Sequence, residues 1–211
     1  MKILRNKVRG EFNGQLSLPY ELRVEDFQLA MQDVYDFFYD VNSSLLRKGL
    51  QRLEEVLERR KATLSGLLSD LLTASVAKHS RALTENLWPN GHPDLIVKGR
   101  YPKDSVAAGK DGVEIKSTKN KSAAVDMHGA RDQWLCVFVY EIDTTTEPAT
   151  DRRPLTFNAV YLDQVTESAF RKNPRGELGT RTATLARAGI QKLRQNWIYR
   201  LSPERQGKES P

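Results

Sequence analysis

A single cysteine and three histidines are all the thiol and imidazole that the 211 residues contain. One thiol cannot close an internal disulfide, and Cys136 sits in the apolar run WLCVFVY, so it reads as a small buried hydrophobe and not a nucleophile. The histidines and the cysteine form no cluster along the chain, so a zinc site is not indicated, and His92, just ahead of Pro93, reads as a turn-stabilising residue. No apolar run approaches the roughly 20 residues of a membrane span. The opening MKILRNKVRG lacks the apolar stretch of a signal peptide. The expectation is a cytoplasmic protein without membrane contact. Internal repeats are missing too, and the one biased stretch is the polar tail over 202–211.

What is present is ordinary for a folded chain: 39% hydrophobic and 28% charged residues, enough for one domain over 1–211 with a proper core. The net charge of +6 is unevenly placed. Between Arg171 and Arg200 eight lysines and arginines face one acid, Glu177, an excess of seven. Concentrated positive charge attracts a polyanion, and nucleic acid is the leading candidate.

Residues 20–82 carry a helical pattern. VEDFQLAMQDVYDFFYDV spaces Phe27, Met31, Val34, Phe38 and Val41 by three and four, and Asn42 or Ser43 would cap a second helix over NSSLLRKGLQRLEEVLERRK. SGLLSDLLTASVAKHSRAL supplies a third before Trp88-Pro89-Asn90-Gly91 stops it. Over 83–163 the period changes to short β-branched runs, DLIV, GVEIKS, WLCVFVYEI and TFNAVYLD, which read as a sheet. KNKSAAVDMHGARDQ has the length of a crossover helix. A basic region at 164–201 holds two more helices, QVTESAF and TATLARAGIQKLRQNW, around the loop RKNPRGELGTR, and residues 1–18 form an edge strand or arm.

Alternation puts Glu114 and Lys116 on one strand face, with Val113 and Ile115 on the other. Antiparallel pairing with PDLIV brings Asp94 beside Glu114. Two carboxylates that close repel each other unless a cation lies between them, and oxygen ligands suit Mg²⁺. A lysine there holds water and stabilises charge on a phosphate. A salt-bridged strand pair on an exposed face is the alternative.

Pro93-Asp94 followed at a distance by Glu114-Ile115-Lys116, with the strand flanks NGHPDLIV and GVEIKST, resembles the PD-(D/E)XK nuclease motif, most like that of type II restriction endonucleases. The resemblance implies an α/β fold, a restriction-endonuclease-like core in which a mixed central sheet is flanked by helices, here with a helical N-terminal region. It also implies Mg²⁺-dependent hydrolysis of double-stranded DNA at a specific site. Asp94, Glu114 and the carbonyl of Ile115 would hold the metal, Lys116 would orient the water, and a helix glutamate would join them, Glu55 among Glu54, Glu58 and Glu85. A repair or recombination nuclease on the same core and a non-catalytic nucleic-acid-binding protein are the alternatives. DNA contacts are expected from Ser117, Lys119, Asn120 and Lys121 in STKNKS, from Arg131 and Gln133, and from Asn173, Arg175 and Arg181. Cutting both strands of a symmetric site implies a homodimer.

Overall fold

The computed structural model describes residues 4–173 and 182–202. Three helices lie in the N-terminal part of the chain: α1 (Val24–Arg47), α2 (Leu53–Glu58) and α3 (Lys61–His79). Among the described residues there are also ten strands and a fourth helix: β1 (Glu11–Phe12), β2 (Leu83–Glu85), β3 (Leu95–Val97), β4 (Gly112–Thr118), β5 (Asp126–Met127), β6 (Gln133–Glu141), β7 (Thr156–Val165), β8 (Phe170–Lys172), β9 (Ala183–Leu185), α4 (Arg187–Gln195) and β10 (Trp197–Arg200). Seven strands form a mixed sheet in the order β1-β10-β7-β6-β4-β3-β2, in which β4 and β6 are parallel and the other neighbours antiparallel. A second sheet, β5-β9-β8, has three. Among the described residues no helix is long and apolar enough to cross a membrane.

The run Trp134–Ile142 is apolar on both faces because both faces are covered. Cys136, Phe138 and Tyr140 point to α1 and α3, while Leu135, Val137 and Val139 point to the small sheet and α4. Phe138 packs against Phe27 and Phe157, with ring centroids 6.2 and 5.9 Å apart, and this aromatic group joins the helical layer to the sheet.

Several boundaries differ from those expected. α1 runs straight through Asn42 and Ser43, and the chain breaks after Lys48, where Gly49 takes a left-handed conformation at φ 72°. Asn42 is buried inside α1 and still serves the second helix: its Oδ1 accepts from Leu53 N–H at 2.8 Å and its Nδ2 donates to Glu54 at 2.8 Å. The β4-to-β6 crossover contains no helix. Its buried residues, Ala123, Val125 and Met127, recur every second position with Asp126 exposed, and β5 pairs with β9. QVTESAF also fails to form a helix; β7 continues to Val165, one 3-10 turn spans Glu167–Ala169, and Phe170 opens β8. Only Arg187–Gln195 of the final segment is helical, because Ala183–Leu185 pairs with β8 and Trp197–Arg200 with β7. The sheet therefore extends beyond 83–163 at both ends, with β1 as the edge strand expected near the N-terminus.

Candidate active site

β3 and β4 are hydrogen-bonded over only two pairs, Leu95↔Val113 and Ile96↔Gly112. Continuing that register sets Asp94 opposite Glu114, where the strands part. The Asp94 side chain takes over from the missing strand, and its Oδ2 accepts the Ile115 N–H at 2.8 Å. Gly112 makes the close approach possible. A Cβ there would lie 1.9 Å from the Leu95 carbonyl oxygen and 2.6 Å from the Pro93 ring, at φ 156°.

Glu114 and Lys116 project from the face of β4 opposite Val113 and Ile115, which are in the core. The Lys116 ammonium lies 2.6 Å from Glu114 Oε1, 3.1 Å from the Ile115 carbonyl oxygen and 3.4 Å from Asp94 Oδ2. The contact with Oε1 has an ion pair's distance but not a hydrogen bond's direction, so this buried oxygen has no hydrogen-bond partner. Glu114 is fully buried, whereas the side chains of Asp94 and Lys116 stay 26% and 23% exposed, which leaves the group open on one side.

The two acids are driven apart electrostatically. Burial, reinforced by the charge of Glu114, pushes the Asp94 carboxyl above the ordinary aspartate range. Burial works the same way on Glu114, but the His92 hydrogen bond and the Lys116 charge outweigh it and hold that carboxyl below its usual range. Burial opposes the charge on Lys116 as well, yet Glu114 and Asp94 prevail and raise its pKa, so it is an ammonium.

No family model, curated protein or solved structure matches the chain. The side chains themselves carry the functional reading.

His92 belongs to the group, although the sequence suggests only a turn residue. Its Nδ1 lies 3.1 Å from Glu114 Oε2, and donor atoms of His92, Asp94 and Glu114 all fall within 4.8 Å of one another. The available signal is its position two residues before Asp94. Glu55 is elsewhere, 3.5 Å from Arg152. Glu54 bonds Asn42, Glu58 pairs with Lys119 at 2.5 Å, and Glu85 is exposed on β2, so none of these four glutamates joins the three.

The expected DNA contacts divide. Ser117 is buried against α3: its Oγ donates to the Ser65 carbonyl and its N–H to Ser69 Oγ. Gln133 is buried too, with neither amide atom hydrogen-bonded. Lys119 is tied to Glu58, Asn120 turns back onto Ser122, Arg131 donates to the His128 carbonyl, and Asn173 donates to Thr182 and Thr184. Lys121 is exposed beside a groove of about 1280 Å³ that Lys7, Arg9 and Arg153 also line. Arg175 and Arg181 lie outside the described residues. A smaller groove, about 510 Å³, is lined by Arg171, Arg187, Gln191 and Arg194 beside Ser122. Arg187, Gln191 and Arg194 recur at spacings of four and three, and that helical periodicity is the signal for them in the sequence.

Proposed function

We propose that the chain is a Mg²⁺-dependent endonuclease of double-stranded DNA with a restriction-endonuclease-like core of the PD-(D/E)XK type, and that it cuts at a specific site as type II restriction enzymes do. The observation that carries this reading is the convergence of Asp94, Glu114 and the Ile115 carbonyl on one cation, the Lys116 ammonium. A purely structural ion pair has no need of two carboxylates and a main-chain oxygen at the point where a strand ladder opens. The order of helix α3, antiparallel β3 and β4, and buried parallel β6 supports the core that the motif implies, although the crossover between β4 and β6 holds β5 in place of the helix expected there.

The donor set fits a hard cation: the atoms are oxygens, Glu114 Oε1 has no hydrogen-bond partner, and Asp94 Oδ1 is not needed by Ile115. Asp94, Glu114 and the Ile115 carbonyl would hold Mg²⁺, which would polarise a phosphate oxygen and promote ionisation of water. Lys116 keeps its proton beside these acids, so it serves as a hydrogen-bond donor and a fixed positive charge, orienting the attacking water and offsetting charge that grows on the phosphate. Its partial exposure gives it access to substrate. The arginine-lined groove and the groove beside Lys121 supply cations for the duplex backbone. Cutting both strands of a symmetric site would be done by two copies paired about a two-fold axis.

Plasmid and phage DNA incubated with the protein, in Mg²⁺ and in EDTA, test the reading. Discrete Mg²⁺-dependent fragments are expected, with Asp94→Ala abolishing cleavage and sparing DNA binding. Cleavage confined to branched or damaged DNA would move the assignment to a repair nuclease. DNA retention without cutting, or an active Asp94→Ala protein, would refute the enzymatic reading.

A further inference from the structure

Both acids of the site are already committed through one oxygen. Asp94 Oδ2 accepts the Ile115 N–H at 2.8 Å, and Glu114 Oε2 lies 3.1 Å from His92 Nδ1. Glu114 stands beside a lysine as a carboxylate and can only accept, so Nδ1 carries the proton and donates it. Each acid then has one oxygen outside these hydrogen bonds, Oδ1 of Asp94 and Oε1 of Glu114, the latter 2.6 Å from the Lys116 ammonium, and bidentate chelation by either is disfavoured because it would compete with the bond on the second oxygen. Small octahedral cations near 2.0–2.1 Å, which keep several waters, tolerate that arrangement, while Ca²⁺ takes six to eight oxygens and often a bidentate carboxylate.

We propose that His92 is a positioning residue that fixes Glu114 as a one-oxygen ligand and thereby sets the site's preference for a small octahedral divalent cation over Ca²⁺. This rests on the cation site proposed above. An imidazole that merely filled space would impose no such preference. The requirement is for one N–H at the Nδ1 position, not for imidazole as such. The amide nitrogen of asparagine overlays Nδ1; that of glutamine overlays Nε2 and points away from Glu114.

The experiment measures Mn²⁺ and Ca²⁺ binding to the full chain by calorimetry, with Mn²⁺ also followed by paramagnetic resonance, and needs no cleavage. Wild type is expected to bind Mn²⁺ in preference to Ca²⁺, and Asp94→Ala to lose both. His92→Ala and His92→Gln should weaken Mn²⁺ binding by about 10- to 100-fold, the usual effect of removing a residue that orients a ligand, and leave Ca²⁺ little changed. His92→Asn should restore most of the preference. If His92→Ala fails to fold, the contrast between asparagine and glutamine decides. A wild-type protein that binds no divalent ion at Asp94 brings down the cation site itself and this inference with it. Wild-type binding lost in Asp94→Ala but unchanged in the glutamine variant overturns the role of His92 alone, as does equal failure of asparagine and glutamine in folded proteins.

Discussion

Gly112→Ala is the smallest change that should disturb both the fold and the site. The added carbon would meet the Leu95 carbonyl oxygen at 1.9 Å and Pro93 Cγ at 2.6 Å, and neither neighbour is the free end of a flexible side chain. Relief requires β3 and β4 to separate locally. Overpacking of this kind costs about 1–3 kcal/mol. The backbone at φ 156°, which L side chains rarely adopt, adds strain on the order of 1–3 kcal/mol. The expected loss is therefore about 4 kcal/mol, equivalent to a fall in melting temperature of roughly 8–16 °C for a chain of this size. Separating the strands also draws Asp94 away from Ile115 N–H, so Mn²⁺ affinity should fall along with stability. Urea denaturation, with the slope checked against wild type, gives the first quantity, and calorimetry at a temperature where the variant is folded gives the second. A variant within about 0.5 kcal/mol of wild type, the usual range for surface changes, with cation binding intact, would refute the claim that this close approach holds the two strands in register.

Two further outcomes follow from other parts of the molecule. Arg187→Ala with Arg194→Ala should weaken duplex binding regardless of sequence and reduce the salt slope of affinity by roughly 2, about one for each phosphate that the variant leaves unneutralised; fluorescence anisotropy across a salt series checks this, and an unchanged slope removes the arginine-lined groove from the DNA path. Asp33 joins α1 to the end of α3 by accepting from Ser75, Lys78 and His79 at 2.6, 2.9 and 2.8 Å. Burial opposes its ionisation, but these bonds prevail and lower its pKa, so its contribution is complete above the unfolded value near 3.8 and is lost as pH falls through the native one. Asp33→Asn should thus be less stable than wild type at pH 7, and the gap should narrow as the solution is acidified in urea titrations; a gap that persists undiminished in acid would contradict this.

The β3–β4 hairpin is legible in the sequence because a period of two and a shared register are local properties. Alternation from Val113 to Lys116 determines which side chains meet, and Asp94 opposite Glu114 follows from it. The same alternation puts Ser117 on the opposite face, against α3, so a DNA contact there conflicts with the parity that locates Glu114. The crossover is harder to read because length alone indicates a helix, whereas the alternating burial of Val125 and Met127 depends on pairing with β9, far along the chain. Asn42 shows the same limit: a residue with the chemistry of a cap sits within one helix and serves the start of another. Glu55 is one of several glutamates that differ mainly in tertiary partners, and Arg152, nearly a hundred residues away, is what holds it.

The position of the Lys116 ammonium among Asp94, Glu114 and the Ile115 carbonyl bears on the protein without divalent ions. Paired acids in other settings depend on a metal to keep them from repelling one another, and chelators can then unfold the chain. Here the chain supplies its own tethered placeholder, so EDTA should leave the fold and melting temperature unchanged. On the function proposed above, cation entry would be an exchange of one positive charge for another rather than the neutralisation of two bare acids.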